Sequence, residues 1–264
     1  MTVASMFDVV PEVPLSDPPI VRALIQLRFG PVLSIRNDDY IAGFQERIRT
    51  SYPQAAKAQT VQLLLGPEGV TQQAGESMWQ FSGEDGWTLT LAAGFLAVDT
   101  TRYTARRELV ERFRNAVDAL TTLVGASTSW SRLGARYVNR LEGADFERLD
   151  EFVTAEAAGA RAFPMPPHVR VVNSLNEVHY STGPDSGLVA RWGIVPAQVS
   201  VIPDVPPVDG PSWILDADSF IDRIGHRLDC GSLAEMASER CEETYRVFRW
   251  AVTDSLLRTR GGTL

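Results

Sequence analysis

The sequence predicts an α+β fold, with antiparallel meander sheets each packed on a long amphipathic helix, in two topologically similar halves. Three observations carry this. Short segments alternate apolar and polar residues, as in Ala23, Ile25, Leu27 and Phe29 set against Arg22, Gln26 and Arg28. Such alternation marks an antiparallel strand with one packed face and one wet face. Two long segments instead repeat apolar residues at helical spacing. They are Leu109, Val110, Phe113, Val117, Leu120 and Val124, and Leu233, Ala237, Cys241, Tyr245, Phe248, Val252 and Leu256. Each long segment follows a run of strand-like pieces, which gives the two halves the same order.

Taken along the chain, Ile20–Phe29 reads as a strand, with Leu24 the exception on its polar face. Asp38–Ser51 reads as a helix with Tyr40, Ile41, Phe44 and Ile48 on one side, stopped by Pro53. Val61–Leu65, Met78–Ser82, Trp87–Leu91 and Phe95–Asp99 follow as strands, with a hairpin signal at Gly83-Glu84-Asp85-Gly86. The first long helix opens at Thr104 and closes at Gly125, and Arg132–Leu141 is the next strand. Phe146–Ala160 reads as one helix. Phe163-Pro164-Met165-Pro166-Pro167 then breaks the chain. This break divides the chain into an extended segment 1–19, a first half 20–163 and a second half 164–264, with a single continuous domain as the alternative. The second half opens with a hairpin, Val169–Tyr180 and Leu188–Val195, and continues through strands at Gln198–Ile202 and Trp213–Phe220. Ser232-Leu233-Ala234-Glu235 has the form of a capping box for the last helix, and Gly261-Gly262 ends it. No residue-level repeat links the halves, so the duplication rests on element order alone.

With 264 residues, 44% of them apolar, the chain has ordinary globular composition. Its net charge is −8 and Lys57 is its one lysine, so the basic side is arginine. An acidic total disfavours coating of nucleic acid, which needs a basic surface. Cys230 and Cys241 match no metal or redox spacing and are expected as reduced thiols. The acidic, proline-rich start lacks the features of a secretory leader, and no apolar run is long enough to cross a bilayer. A cytoplasmic protein is expected, with no membrane association.

No phosphate-binding glycine loop, HExxH or GxSxG motif is present, so no metal or cofactor is implied and the reading leans away from an enzyme. Four weaker constellations remain. Arg132, Arg136 and Arg140 are spaced by four on one strand and share a face, roughly 13 Å apart. Arg22 and Arg28 join them if the strands pair. The row offers a binding surface for phosphate, a nucleic-acid backbone or an acidic partner, or else a solvated face neutralised by carboxylates. Asp216 and Asp218 share a face but make an incomplete site for a hard cation. His168, His179 and His226 are scattered. Trp79, Trp87, Trp130, Trp192, Trp213 and Trp250 could line a cavity or fill a core.

Leu15-Ser16-Asp17-Pro18-Pro19-Ile20, Arg132-Leu133-Gly134-Ala135-Arg136-Tyr137-Val138-Asn139-Arg140, Trp213-Ile214-Leu215-Asp216-Ala217-Asp218 and Phe248-Arg249-Trp250-Ala251 together resemble a sporadically distributed bacterial family of conserved hypothetical proteins. Ala135 departs from the larger apolar residue the pattern favours. The resemblance implies no established reaction, cofactor or catalytic residue. It implies an accessory role, such as defence or an antitoxin-like partner.

The resulting expectation is a non-enzymatic protein that binds or regulates a protein partner. The alternative is a small-molecule or nucleotide-binding protein, or a hydrolase, with a cavity between sheet and helix and the arginine row at its mouth. An enclosed cavity with a polar mouth favours the ligand, and a broad apolar patch favours the partner.

Overall fold

The computed structural model describes residues 5–66, 69–203 and 205–264, with side chains described outside 60–76. Nine strands form one antiparallel sheet: β1 (Ile20–Phe29), β2 (Gln54–Gly66), β3 (Gly69–Ser82), β4 (Trp87–Ala92), β5 (Phe95–Thr100), β6 (Ser129–Glu142), β7 (Ser174–Gly183), β8 (Ser186–Val195) and β9 (Ser212–Arg227). Their spatial order is β2-β3-β4-β5-β1-β6-β9-β8-β7. From the central β1–β6 pair, the order outward is β5, β4, β3, β2 on one side and β9, β8, β7 on the other. The protein is α+β.

The helices are α1 (Asp38–Ile48), α2 (Arg106–Val124), three single turns α3 (Ala144–Glu147), α4 (Leu149–Phe152) and α5 (Ala155–Ala158), then α6 (Cys230–Ala251) and α7 (Asp254–Thr259). Helices cover one face of the sheet, because the strand residues that alternate inward are the apolar ones. Ala23, Ile25 and Leu27 of β1, Leu133 and Ala135 of β6 and Leu96 and Val98 of β5 are all fully buried beneath α2 and α6. The opposite face carries Arg22, Gln26 and Arg28, then Arg132, Arg136 and Arg140, then Asp216, Asp218 and Asp222.

Two cores lie under the helical layer. The first contains α1, α2 and the start of α6, through Leu233, Ala237 and Cys241. The second contains β8, β9 and the end of α6, through Val247, Phe248 and Ala251. α6 therefore spans both. A third, small cluster (Val138, Val195, Ile202, Val205 and Ile214) sits on the open face under the proline-rich loop after β8.

Three sequence expectations are corrected. Gln198–Ile202 is not a strand: Gln198 has φ 61 and its amide bonds the Val208 carbonyl, closing a loop in place of a ladder. Asp229, not Ser232, caps α6, its carboxylate accepting from the Ser232 amide at 2.7 Å. The third correction concerns Phe146–Ala160, which is not one helix, and the closing helix, which does not run unbroken to Leu257. A single cause accounts for both. Val153 and Val252 form an isolated antiparallel bridge, holding each valine extended and interrupting both helical paths. Thr154 and Thr253 donate to the Ala251 and Phe152 carbonyls on either side.

At Gly193, φ is +148 and the Ser174 carbonyl oxygen sits 1.7 Å from where a Cβ would be, so only glycine lets β7 pair there. Among the described residues, no helix is long and apolar enough to cross a membrane.

Candidate functional site

The arginine row lies on the open face, and neighbouring strands supply its partners. Arg136 forms a two-pronged pair with Asp216, both contacts at 2.7 Å, and Arg191 of β8 reaches the same carboxylate at 3.2 Å. Arg191 also pairs with Glu177 of β7, which contacts His179 at 2.6 Å. This makes a charge lattice across four strands. Arg132 stacks 3.5 Å over the Phe220 ring and pairs with Asp222 at 3.1 Å. Arg140 bonds Glu142 and the Pro206 carbonyl, and Arg22 pairs with Asp99 at 2.5 Å. Arg28 is exposed and stands directly opposite Arg132 in the β1–β6 register.

Asp216 is fully buried and satisfied by two guanidinium groups. Asp218 is largely buried, and desolvation raises its pKa, an effect that Arg136 and Arg132 oppose. No grouping of His, Cys, Asp and Glu suited to a metal occurs among the described residues.

A partly covered cavity lies on the other side of the sheet, at the seam between the two cores. Tyr137 of β6 points to the helical face, where its cross-strand neighbours are Ala23 and Ala217. Two alanines beside a long side chain leave room above them. Asn139 follows on the same face, 3% exposed, its amide donating to the Leu215 carbonyl at 3.5 Å. α6 contributes Cys241, Thr244, Tyr245 and Phe248, and the start of α2 contributes Ala105 and Arg106. The roof is the segment from Glu12 to Ile20. The result is a mainly apolar cavity of about 170 Å³.

The roof is fastened at several points. The Val13 amide donates to the Tyr245 hydroxyl at 2.8 Å, which in turn donates to the Pro11 carbonyl at 3.4 Å. Ser16 and Asp17 donate their amides to the Arg260 carbonyl, and the Arg260 guanidinium pairs with Asp17 and Asp145. At the mouth, Arg106 pairs with Glu12 at 3.1 Å and with Glu242.

Tyr137 is 8% exposed, its ring lies edge to face with Tyr103 at 5.4 Å, and its buried hydroxyl interacts with the Tyr103 phenol and the Cys241 thiol. Burial raises the Tyr137 pKa far above the ordinary phenol value, the Cys241 thiol and Tyr103 phenol adding to it. Burial likewise raises the Tyr103 pKa, and it pushes the Cys241 thiol up to about 11. Both phenols and the thiol are therefore protonated donors at neutral pH. Ala105, the residue before α2, offers no side-chain cap, so the first amides of the helix lack the usual acceptor.

None of Arg22, Arg28, Arg132 and Arg136 lines this cavity, nor does Arg140, whose strand passes it with that side chain on the opposite face. The six tryptophans and three histidines do not line it either. Sequence reasoning passed over Tyr137 and Asn139, yet a signal was present. Both occupy the phase that Leu133, Ala135 and Leu141 mark as inward, where a polar group is unexpected. No protein-family model matches this chain, and no curated protein matches it.

Proposed function

We propose that this protein binds a small apolar molecule in the cavity between β6, α2 and α6, under the 12–20 roof. One observation carries the reading: a mainly apolar cavity of about 170 Å³ between the sheet, α2 and α6, covered by the 12–20 segment. Ligand sites are apolar concavities with a few polar groups that fix orientation, and this cavity has that composition. Its size suits a compact ligand, since a dry cavity of about 150 Å³ admits benzene. A screen of small neutral compounds at millimolar concentration tests the reading. Binders should raise Tm and shift the methyl resonances of Val13, Leu15 and Ile20, and Val13→Phe, which fills the space from the roof, should abolish both effects. A screen in which those methyls never move would end it.

A protein partner is the second reading, favoured by the Arg28–Arg132 juxtaposition. Like charges directly opposite on paired strands repel, and carboxylates from an acidic partner would relieve that. Arg28→Gln should then weaken capture of that partner while leaving Tm unchanged. Equal capture by the variant would exclude this face.

A further inference from the structure

Resting on the cavity reading, we infer that the ligand is a neutral molecule of about one ring in size that presents an N–H or O–H group to the Asn139 carboxamide oxygen. Size follows from the cavity volume of about 170 Å³. Asn139 is 3% exposed and lines the cavity from β6. Its amide nitrogen donates to the Leu215 carbonyl at 3.5 Å, across the β6–β9 pairing that sets the two residues opposite each other. Only the nitrogen can donate, so this contact fixes which way round the amide stands. The oxygen is left as the free branch and accepts from no group among the described residues. A buried acceptor without a donor is costly, and a donor on the ligand removes that cost.

The other polar groups of the wall are engaged within the protein. The Tyr137 hydroxyl, the Tyr103 phenol and the Cys241 thiol interact with one another. Tyr245 accepts from the Val13 amide and donates to the Pro11 carbonyl. Thr244 directs its proton to the Cys241 carbonyl at 2.8 Å, so it too has only lone pairs to offer. What the wall leaves over is therefore an acceptor. Neutrality follows from the charges. Glu12 and Arg106, the charged residues of the lining, pair with each other at 3.1 Å, and Arg106 also holds Glu242. An ionic ligand would have to break these pairs or stay unpaired in apolar surroundings, where a charge is costly.

Phenol, anisole and toluene, with benzylamine and benzoate as charged counterparts, separate the possibilities when titrated into the full chain and into Asn139→Leu. Phenol should bind the wild type about 10-fold more tightly than toluene or anisole, as one hydrogen bond to a buried acceptor allows. That preference should vanish in Asn139→Leu, which keeps the size of the side chain and removes the acceptor. In the wild type, the 13Cγ resonance of Asn139 should move further with phenol than with toluene, a readout that stands even if the variant fails to fold. Equal affinity for phenol and toluene, or a phenol preference that survives in Asn139→Leu, would overturn the Asn139 assignment and leave the cavity reading standing. Tightest binding of anisole would show that the ligand presents an acceptor, against this inference. Tightest binding of benzylamine or benzoate would overturn neutrality. If none of the five binds and xenon fails to enter by 129Xe NMR, the cavity reading itself fails.

Discussion

Arg136 of β6 holds both carboxylate oxygens of fully buried Asp216 of β9, each at 2.7 Å, across a pairing that joins positions 80 residues apart. The pair ties β6 to β9 from the open side, opposite the helices. It also separates the members of the arginine row by what each does. Arg136 is structural, whereas Arg132 and Arg28 remain near solvent.

Arg136→Gln should therefore cost about 2–3 kcal/mol, because it weakens the hold on a buried carboxylate while Arg191 still contacts it. Arg132→Gln should cost under about 1 kcal/mol, since its partner Asp222 is half exposed. Denaturant titration of the single variants checks the ranking. Equal losses at both positions would contradict it.

Asp218 gives a pH dependence. Its pKa is raised by desolvation, so the folded chain retains that proton to a higher pH than the unfolded chain. Its contribution is most favourable below the unfolded aspartate pKa of about 3.9 and is lost as pH rises through the folded value. Asp218→Asn should raise Tm at neutral pH, and the gain should fade as pH falls below that window. Thermal melts from acid to neutral pH would show the two curves diverging as pH rises.

Phe113 is fully buried in the first core, whereas Phe248 borders the cavity and is 8% exposed. Phe113→Ala should cost about 3–5 kcal/mol. Phe248→Ala should cost less, because its ring already faces a void, and should admit larger probes. Denaturation midpoints together with probe titrations measure both effects.

Cys230 and Cys241 lie on one helix, eleven residues apart, which is roughly 16 Å along the axis and beyond disulfide reach. Reductant should leave Tm unchanged. A thiol reagent should modify Cys230 in the native protein and Cys241, 1% exposed, only after denaturation. Rapid loss of both thiols under native conditions would place α6 wrongly.

Gly193→Ala should destabilise by about 3 kcal/mol or more, because a methyl group cannot occupy the place of the Ser174 carbonyl. The damage should be local to the β7 edge. Hydrogen exchange would show it as lost protection across Ser174–Gly183 with β1 and β6 unaffected.

The sequence by itself determined the α+β class, the strand at Ile20–Phe29, the helical stripe through Phe113 and the two faces of β6, because these depend on the local periodicities of helix and strand. It left open whether Arg132, Arg136 and Arg140 face a partner or internal carboxylates, because Asp216 and Asp222 reach them only through strand pairing. The break at Val252 was likewise unreadable, since its cause is a bridge to Val153 from a distant turn. The cavity was the least legible feature. Tyr137 is an ordinary strand residue in sequence; tertiary packing alone set it between Ala23 and Ala217, beneath a helix that serves two cores. A void is what remains when separately specified elements meet, and it has no residues of its own to announce it.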